Sequence, residues 1–206
     1  MTQFPYQPGK VSCLSVGLVL IVAFADGCVG TRSELRGEGL VNIQSYLPLA
    51  VGNKWSYATS FQGQPQADLV VSLVKKQGPF FLDDRPKPSR YAFDNNGLRD
   101  GNKRYLLKLP LEVGTKWMSV ADLNTVEHYR ILDVNRKVKV PAGVFSGCVV
   151  VRMEVRMTDT RSMRNDMTFA PGVGIVEVRT WLLDGSKALP QSVLQLKKFE
   201  QAGKNS

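Results

Sequence analysis

From about residue 46 onward the apolar positions of this chain recur at every second residue. Val151, Met153, Val155 and Met157 alternate with Arg152, Glu154, Arg156 and Thr158, the period of a strand with one dry and one wet face. Val138 and Val140 alternate with Lys137 and Lys139, while Glu177 and Arg179 share one face of the run 175–181, with Val176, Val178 and Thr180 opposite. The runs 69–74, 103–109 and 193–199 add further strands. Alternation with a polar face predicts antiparallel sheet with one side wet, and no amphipathic helix stands out among these segments. Asp94-Asn95-Asn96-Gly97, Asp100-Gly101-Asn102 and Asp184-Gly185-Ser186 supply Gly or Asn for left-handed turn positions. Pro79 and Pro86-Lys87-Pro88 mark a longer loop before a strand at Tyr91. The segment 94–101 superficially suggests a calcium loop, but Leu98 and Arg99 fall where oxygen ligands would be needed. Two consecutive hairpin turns are expected there. The pattern predicts an all-β domain, an antiparallel sheet forming a half-barrel, barrel or sandwich.

A repeat punctuates the strands. Leu47-Pro48-Leu49-Ala50-Val51-Gly52-Asn53-Lys54-Trp55 returns as Leu109-Pro110-Leu111-Glu112-Val113-Gly114-Thr115-Lys116-Trp117, with seven of nine positions matched at an offset of 62 residues. Pro ends one strand, Val-Gly turns the chain, and Trp opens the next strand with a large side chain to bury. Duplication of a supersecondary unit would produce this, as would independent reuse of one strand-entry device. Two further motifs follow: Val140-Pro141-Ala142-Gly143-Val144-Phe145-Ser146-Gly147-Cys148, and Ala170-Pro171-Gly172-Val173-Gly174-Ile175-Val176. In this order, LPLxVGxKW, VPAGxFxxC and APGVGxV resemble a group of bacterial lipoproteins common in myxobacteria and related proteobacteria. The resemblance spans roughly residues 46–199. It implies an envelope location and a β fold, and it carries over no catalytic residues. The motif residues themselves read as turns launching strands, with Phe145 and Val173 as core anchors.

The first 28 residues have a different pattern. Lys10 precedes an apolar run of 15 residues, Val11–Ala25, that closes on small residues at Gly27-Cys28, the layout of a secretory signal. The run is short of the roughly 20 residues that a spanning helix needs. Ala23-Phe24-Ala25 would allow cleavage to a soluble periplasmic or secreted protein. Ala25-Asp26-Gly27-Cys28 instead resembles a lipobox, in which Cys28 would take a diacylglycerol and become the new N-terminus. Ala25 replaces the usual leucine and Asp26 is an uncommon neighbour, yet the tether-like polar segment that follows favours lipidation. Residues 1–27 are therefore expected to be a cleaved signal, 28–45 the lipidated Cys28 and a flexible tether, 46–200 the β domain, and 201–206 a disordered tail. Three acyl chains would hold the domain firmly to a membrane of the cell envelope, on the periplasmic side or at the outer membrane.

Composition narrows the function classes. The 206-residue chain carries 27 Lys and Arg against 18 Asp and Glu, a net charge of +9. Losing residues 1–27 removes only Lys10 and Asp26, so the net charge is unchanged. The cations are scattered among acids and no nucleic-acid motif is present, so nucleic acid is not an expected partner. Outside the cytoplasm, such a charge suits phospholipid headgroups or acidic polysaccharide. Cys13 leaves with the signal. Cys148 then reads as a small buried residue, or as a disulfide partner for Cys28 if the cut follows Ala25.

Candidate chemistry is sparse. His128 is the sole histidine, which leaves zinc without a second imidazole, and no catalytic metal or cofactor is expected. No G-x-S-x-G elbow or Ser–His–Asp set is present. Glu127 and His128 would face opposite sides of a strand. A carboxylate-based hydrolase assembled from distant strands is the weaker alternative, and the chain reads as non-catalytic. Binding is better motivated. Trp55, Trp117, Trp181, Phe80 and Phe81 are the candidate ligand-facing residues, and an ordinary core could equally absorb them. Phe80-Phe81 is the most suggestive pair, because adjacent strand residues need two separate apolar environments. The expected partners are a membrane through lipid on Cys28 and either a hydrophobic small molecule or an envelope protein, in the last case as a structural accessory of an assembly.

Overall fold

The computed structural model describes residues 42–122 and 125–203. The signal, Cys28 and nearly all of the tether lie outside the described residues. A single 3-10 turn, Ile43–Tyr46, precedes twelve strands. The first six are β1 (Lys54–Phe61), β2 (Gln64–Gln77), β3 (Phe80–Asp83), β4 (Arg90–Asp94), β5 (Gly97–Asp100) and β6 (Tyr105–Lys108). The second six are β7 (Lys116–Asp122), β8 (Thr125–Val140), β9 (Gly143–Arg156), β10 (Arg161–Ala170), β11 (Gly174–Asp184) and β12 (Lys187–Glu200).

All neighbouring strands are antiparallel, in the order β6-β5-β4-β3-β2-β1-β12-β11-β10-β9-β8-β7. Two six-stranded meanders are thus joined where β1 lies beside β12, and the sheet curls into a nearly closed barrel. The all-β antiparallel expectation holds. Of the forms the pattern left open, the barrel is the one adopted. Every long alternating run named above is a strand, with Val151 fully buried and Arg152 only partly so.

The two edges that face each other across the gap, β6 and β7, are stitched by side chains. Trp117 Nε1 donates to the Tyr105 carbonyl at 2.8 Å. Arg104 bridges Asp100 Oδ2 at 2.7 Å and Glu127 Oε1 at 2.8 Å, and the Tyr129 hydroxyl donates to Glu127 Oε2 at 2.7 Å. The buried carboxylates of Asp100 and Glu127 are thus satisfied by the half-buried Arg104, as burial of a charge demands.

The repeat is structural as well as sequential. Gly52 and Gly114 have φ of +95° and +94°, a left-handed geometry that a side chain would strain. Gly52 N donates to the Leu73 carbonyl and Gly114 N to that of Ile131, and the return bonds run from Leu73 N to Asn53 O and from Ile131 N to Thr115 O. Of the two positions that differ, Ala50/Glu112 and Asn53/Thr115, the second makes equivalent side-chain bonds in both copies. Asn53 Nδ2 donates to the Pro48 carbonyl at 2.8 Å, and Thr115 Oγ1 to that of Pro110 at 3.0 Å. Each motif thus closes on itself and delivers its Trp to the head of a strand, β1 or β7. Asn53 is fully buried and also accepts from Ala202 N at 2.8 Å, which ties the chain beyond β12 to the first copy.

Turn chemistry largely follows the sequence. Asp94 Oδ1 accepts from Asn96 N and Gly97 N, closing the β4–β5 hairpin. The next turn differs from expectation, since its positive φ falls on Lys103 at +63° rather than on Gly101 or Asn102. Asp100 Oδ1 accepts from Asn102 N and Arg104 N and fixes that shape. Gly101 is needed for space instead, because a Cβ there would lie 2.6 Å from Arg90 Nε.

Candidate functional site

The three sequence motifs meet at one place. Trp55 is 3% exposed; it stacks on Phe199 of β12 with centroids 5.1 Å apart, and its Nε1 donates to the Val173 carbonyl at 2.7 Å. The Tyr57 hydroxyl donates to the Ile175 carbonyl at 3.0 Å, and that of Tyr46 to the Gly147 carbonyl at 3.1 Å. Gly172 N donates to the Ser45 carbonyl at 2.8 Å. A Cβ on Gly174, whose φ is +110°, would stand 2.7 Å from Leu47 Cδ1. The APGVG turn must therefore carry glycine for the Leu47–Trp55 segment to seat against it. Burial raises the pKa of Tyr46 and of Tyr57, so both hydroxyls stay protonated as donors.

Beside this junction lies a partly open apolar pocket with a cavity volume of about 140 Å³. Its wall is made by Leu47, Trp55, Tyr57, Leu73, Val178 and Leu194 among others, with Arg85 as the one charged lining residue. Arg85 is already engaged: its guanidinium pairs with buried Asp83 and donates to Ser89 Oγ and the Tyr91 hydroxyl. Burial opposes the Arg85 charge, and the Asp83 carboxylate restores it with a net rise. The pocket is consequently apolar with a fixed, internally compensated polar corner.

The five aromatics named from the sequence separate in space. Trp55 stands on the cavity wall. Trp117 is buried in the barrel seam, stacked on Tyr129 at 5.2 Å. Trp181 is half-buried on β11, and the Arg164 guanidinium lies 4.6 Å from its ring centroid. Phe80 and Phe81 find the two environments their adjacency requires. Phe81 packs against the core, whereas Phe80 lies under the guanidinium groups of Arg90 at 5.5 Å and Arg99 at 4.8 Å, contacts that reward a cation over an aromatic face. Sequence reasoning missed Tyr57, Val178 and Leu194 as cavity residues. Alternation placed Val178 on the apolar face of its run and Leu194 within a strand, without saying that a pocket would lie there, and nothing singled out Tyr57.

Several titratable groups are held in ion pairs. Glu177 accepts from Arg179 at 2.9 and 3.0 Å and from Gln195 at 2.8 Å. Burial works against its charge, but the bonds from Arg179 and Gln195 hold its pKa below the ordinary carboxylate value. Arg152 grips Asp166 with two bonds of 2.8 Å. His128 is exposed on β8, beside Met118 and Glu154 in register. Among the described residues no group of three or more His, Cys, Asp or Glu gathers as a metal ion would need. Cys148 is fully buried and free, and burial pushes its thiol pKa up, which makes it a poor nucleophile.

No protein-family model matches the chain, and no curated protein matches its sequence. Three solved structures are similar. A protein inferred to be exported, with a YmcC-like fold, from Bacteroides fragilis is 14% identical, with a TM-score of 0.44 over 74% of this chain and 97% of that one. An inferred lipoprotein from Parabacteroides distasonis is 12% identical, with a TM-score of 0.41 over 75% of this chain and 98% of that one. The hypothetical lipoprotein YmcC from Escherichia coli is 14% identical, with a TM-score of 0.37 over 77% of this chain and 89% of that one.

Proposed function

We propose that this chain is an extracytoplasmic lipoprotein whose barrel, anchored through lipid on Cys28, holds a small apolar group in its apolar pocket without catalysis. Export is supported by the basic-then-apolar start and the small-residue cleavage region. Anchoring is supported by Gly27-Cys28 and by the polar stretch between Cys28 and the first described turn. The observation that carries the binding reading is the cavity of about 140 Å³ beside Trp55. The pocket is apolar, and it is bordered by residues from two of the three motifs and their immediate neighbours. Its size suits a benzene-sized group or the end of an alkyl chain, since whole drug-sized ligands take about 300 Å³ or more.

The non-catalytic reading is supported by the ion pairs. A glycosidase-type general acid needs a carboxyl held protonated near neutrality. Among the described residues, the carboxylates with displaced pKa values, Asp84, Asp94 and Glu177, are moved the other way.

Titration with a short brominated alkane, read by quenching of tryptophan fluorescence, tests the cavity. Saturable quenching in the wild-type chain, abolished in Val178→Phe, is the expected result. Quenching of equal strength in both would place the probe elsewhere and remove the support for a site in the pocket.

A further inference from the structure

The outer face of the β7–β8 hairpin combines two features that a soluble surface avoids. Met118, Val120 and Val126 are 68%, 69% and 38% exposed, and Val120 lies directly opposite Val126 in the ladder. Contiguous exposed apolar side chains mark interaction surfaces. Next to them Lys116 faces Arg130, which in turn faces Arg152 on β9. Like charges directly opposite destabilise a strand pair, so this arrangement costs stability unless an anion accompanies it. Arg152 is neutralised by Asp166. No ion pair among the described residues reaches Lys116 or Arg130, and Arg130 is exposed. Glu154 is the acid nearest in register, two positions along from Arg152 on the same face.

We propose that this face is a membrane-contact surface: Met118, Val120 and Val126 enter the headgroup region of a bilayer containing anionic lipid, and Lys116 and Arg130 hold its phosphates. The apolar and cationic residues share one outward face of one hairpin, as interfacial recognition of a lipid surface requires. An acidic polysaccharide would use the cations and leave Met118 and Val120 in water. A partner strand would pair with the free backbone edge of β7 and not with its face. The inference rests on the membrane-anchored reading, because the anchor supplies the local concentration that makes a weak surface contact effective.

The test uses the full chain purified with its anchor, carrying Met118→Cys labelled with a polarity-sensitive NBD fluorophore. Buried Cys148 gives little background, and the unsubstituted chain takes up no label if Cys28 is lipidated. Flotation on neutral phosphatidylcholine vesicles, and on vesicles also containing phosphatidylglycerol, reads the anchor. The fluorophore reads the docking. The expected result is flotation on both, with NBD blue-shifted and brightened only when phosphatidylglycerol is present. Each cation near an anionic surface is worth about 1 kcal/mol, so Lys116→Ala with Arg130→Ala should lower the ratio of docked to undocked protein about 25-fold while flotation persists. Flotation with no NBD response, or an equal response on both vesicles, overturns the surface and leaves the anchor standing. An unsubstituted chain that takes up label and floats on neither vesicle overturns the anchor and this inference with it. An NBD response that grows with protein concentration in the absence of vesicles would show a second copy on this face, and would also overturn the proposal.

Discussion

Trp55 shows how much one residue can carry. It closes the first repeat, stacks on Phe199, bonds to Val173 and walls the cavity. Trp55→Ala should cost about 3–5 kcal/mol in urea denaturation, the usual range for emptying a large aromatic site. Trp55→Phe keeps the stack and strands one carbonyl, so a loss of about 1–3 kcal/mol is expected. Gly174 and Gly114 both have positive φ, but only Gly174 also lacks room, its Cβ position being 2.7 Å from Leu47. Gly174→Ala should therefore lower the melting temperature more than Gly114→Ala, whose penalty is backbone strain of about 1 kcal/mol. Glu177 has a depressed pKa in the folded chain, relative to an unfolded value near 4.5. Its stabilising contribution is present above that value and is lost as pH falls through the folded pKa. Glu177→Gln should accordingly flatten the fall in stability below about pH 4.5, measured as denaturation midpoints across an acid series. At this scale the sequence identified Trp55 as a residue needing burial. It could not name Val173 as its partner, because a bond between residues 118 apart depends on the register of several strands. The partners of Phe80 were hidden for the same reason: the arginines over its ring come from β4 and β5.

The repeated strand-entry device was legible as an element, and the structure gives both copies the same hydrogen bonds. The copies differ in burial. Asn53 is sealed and serves two partners, whereas Thr115 is better exposed and serves one. Asn53→Ala should cost about 3 kcal/mol and Thr115→Ala about 1, compared by thermal denaturation of the two variants. Equal costs would mean that the second bond of Asn53, to Ala202, contributes nothing. Long strands announced themselves by alternation. The four-residue strands β3 and β5 did not, because four positions hold too few periods to distinguish from a loop. Pairing order was also illegible: nothing local in residues 54–61 or 187–200 says that the first strand lies beside the last.

At the scale of the molecule, two six-stranded meanders close around a core, with a partly open apolar pocket next to the convergence of the motifs. That convergence seats the 170–174 turn against the Leu47–Trp55 segment. It also places the pocket beside that contact, with Leu47 and Trp55 in its wall. The pocket itself was unreadable from the sequence, because an inward-facing Leu or Val has the same pattern whether or not the space opposite it is filled. The central claim, a resident apolar ligand in this pocket, is tested most directly by native mass spectrometry. The full chain would be exported, extracted gently with its anchor, and compared with Val178→Phe. A reproducible extra mass that leaves on denaturation, and is missing from the folded Val178→Phe variant, is the predicted result. A mass equal to that of the anchored chain alone, in both proteins, would contradict the claim.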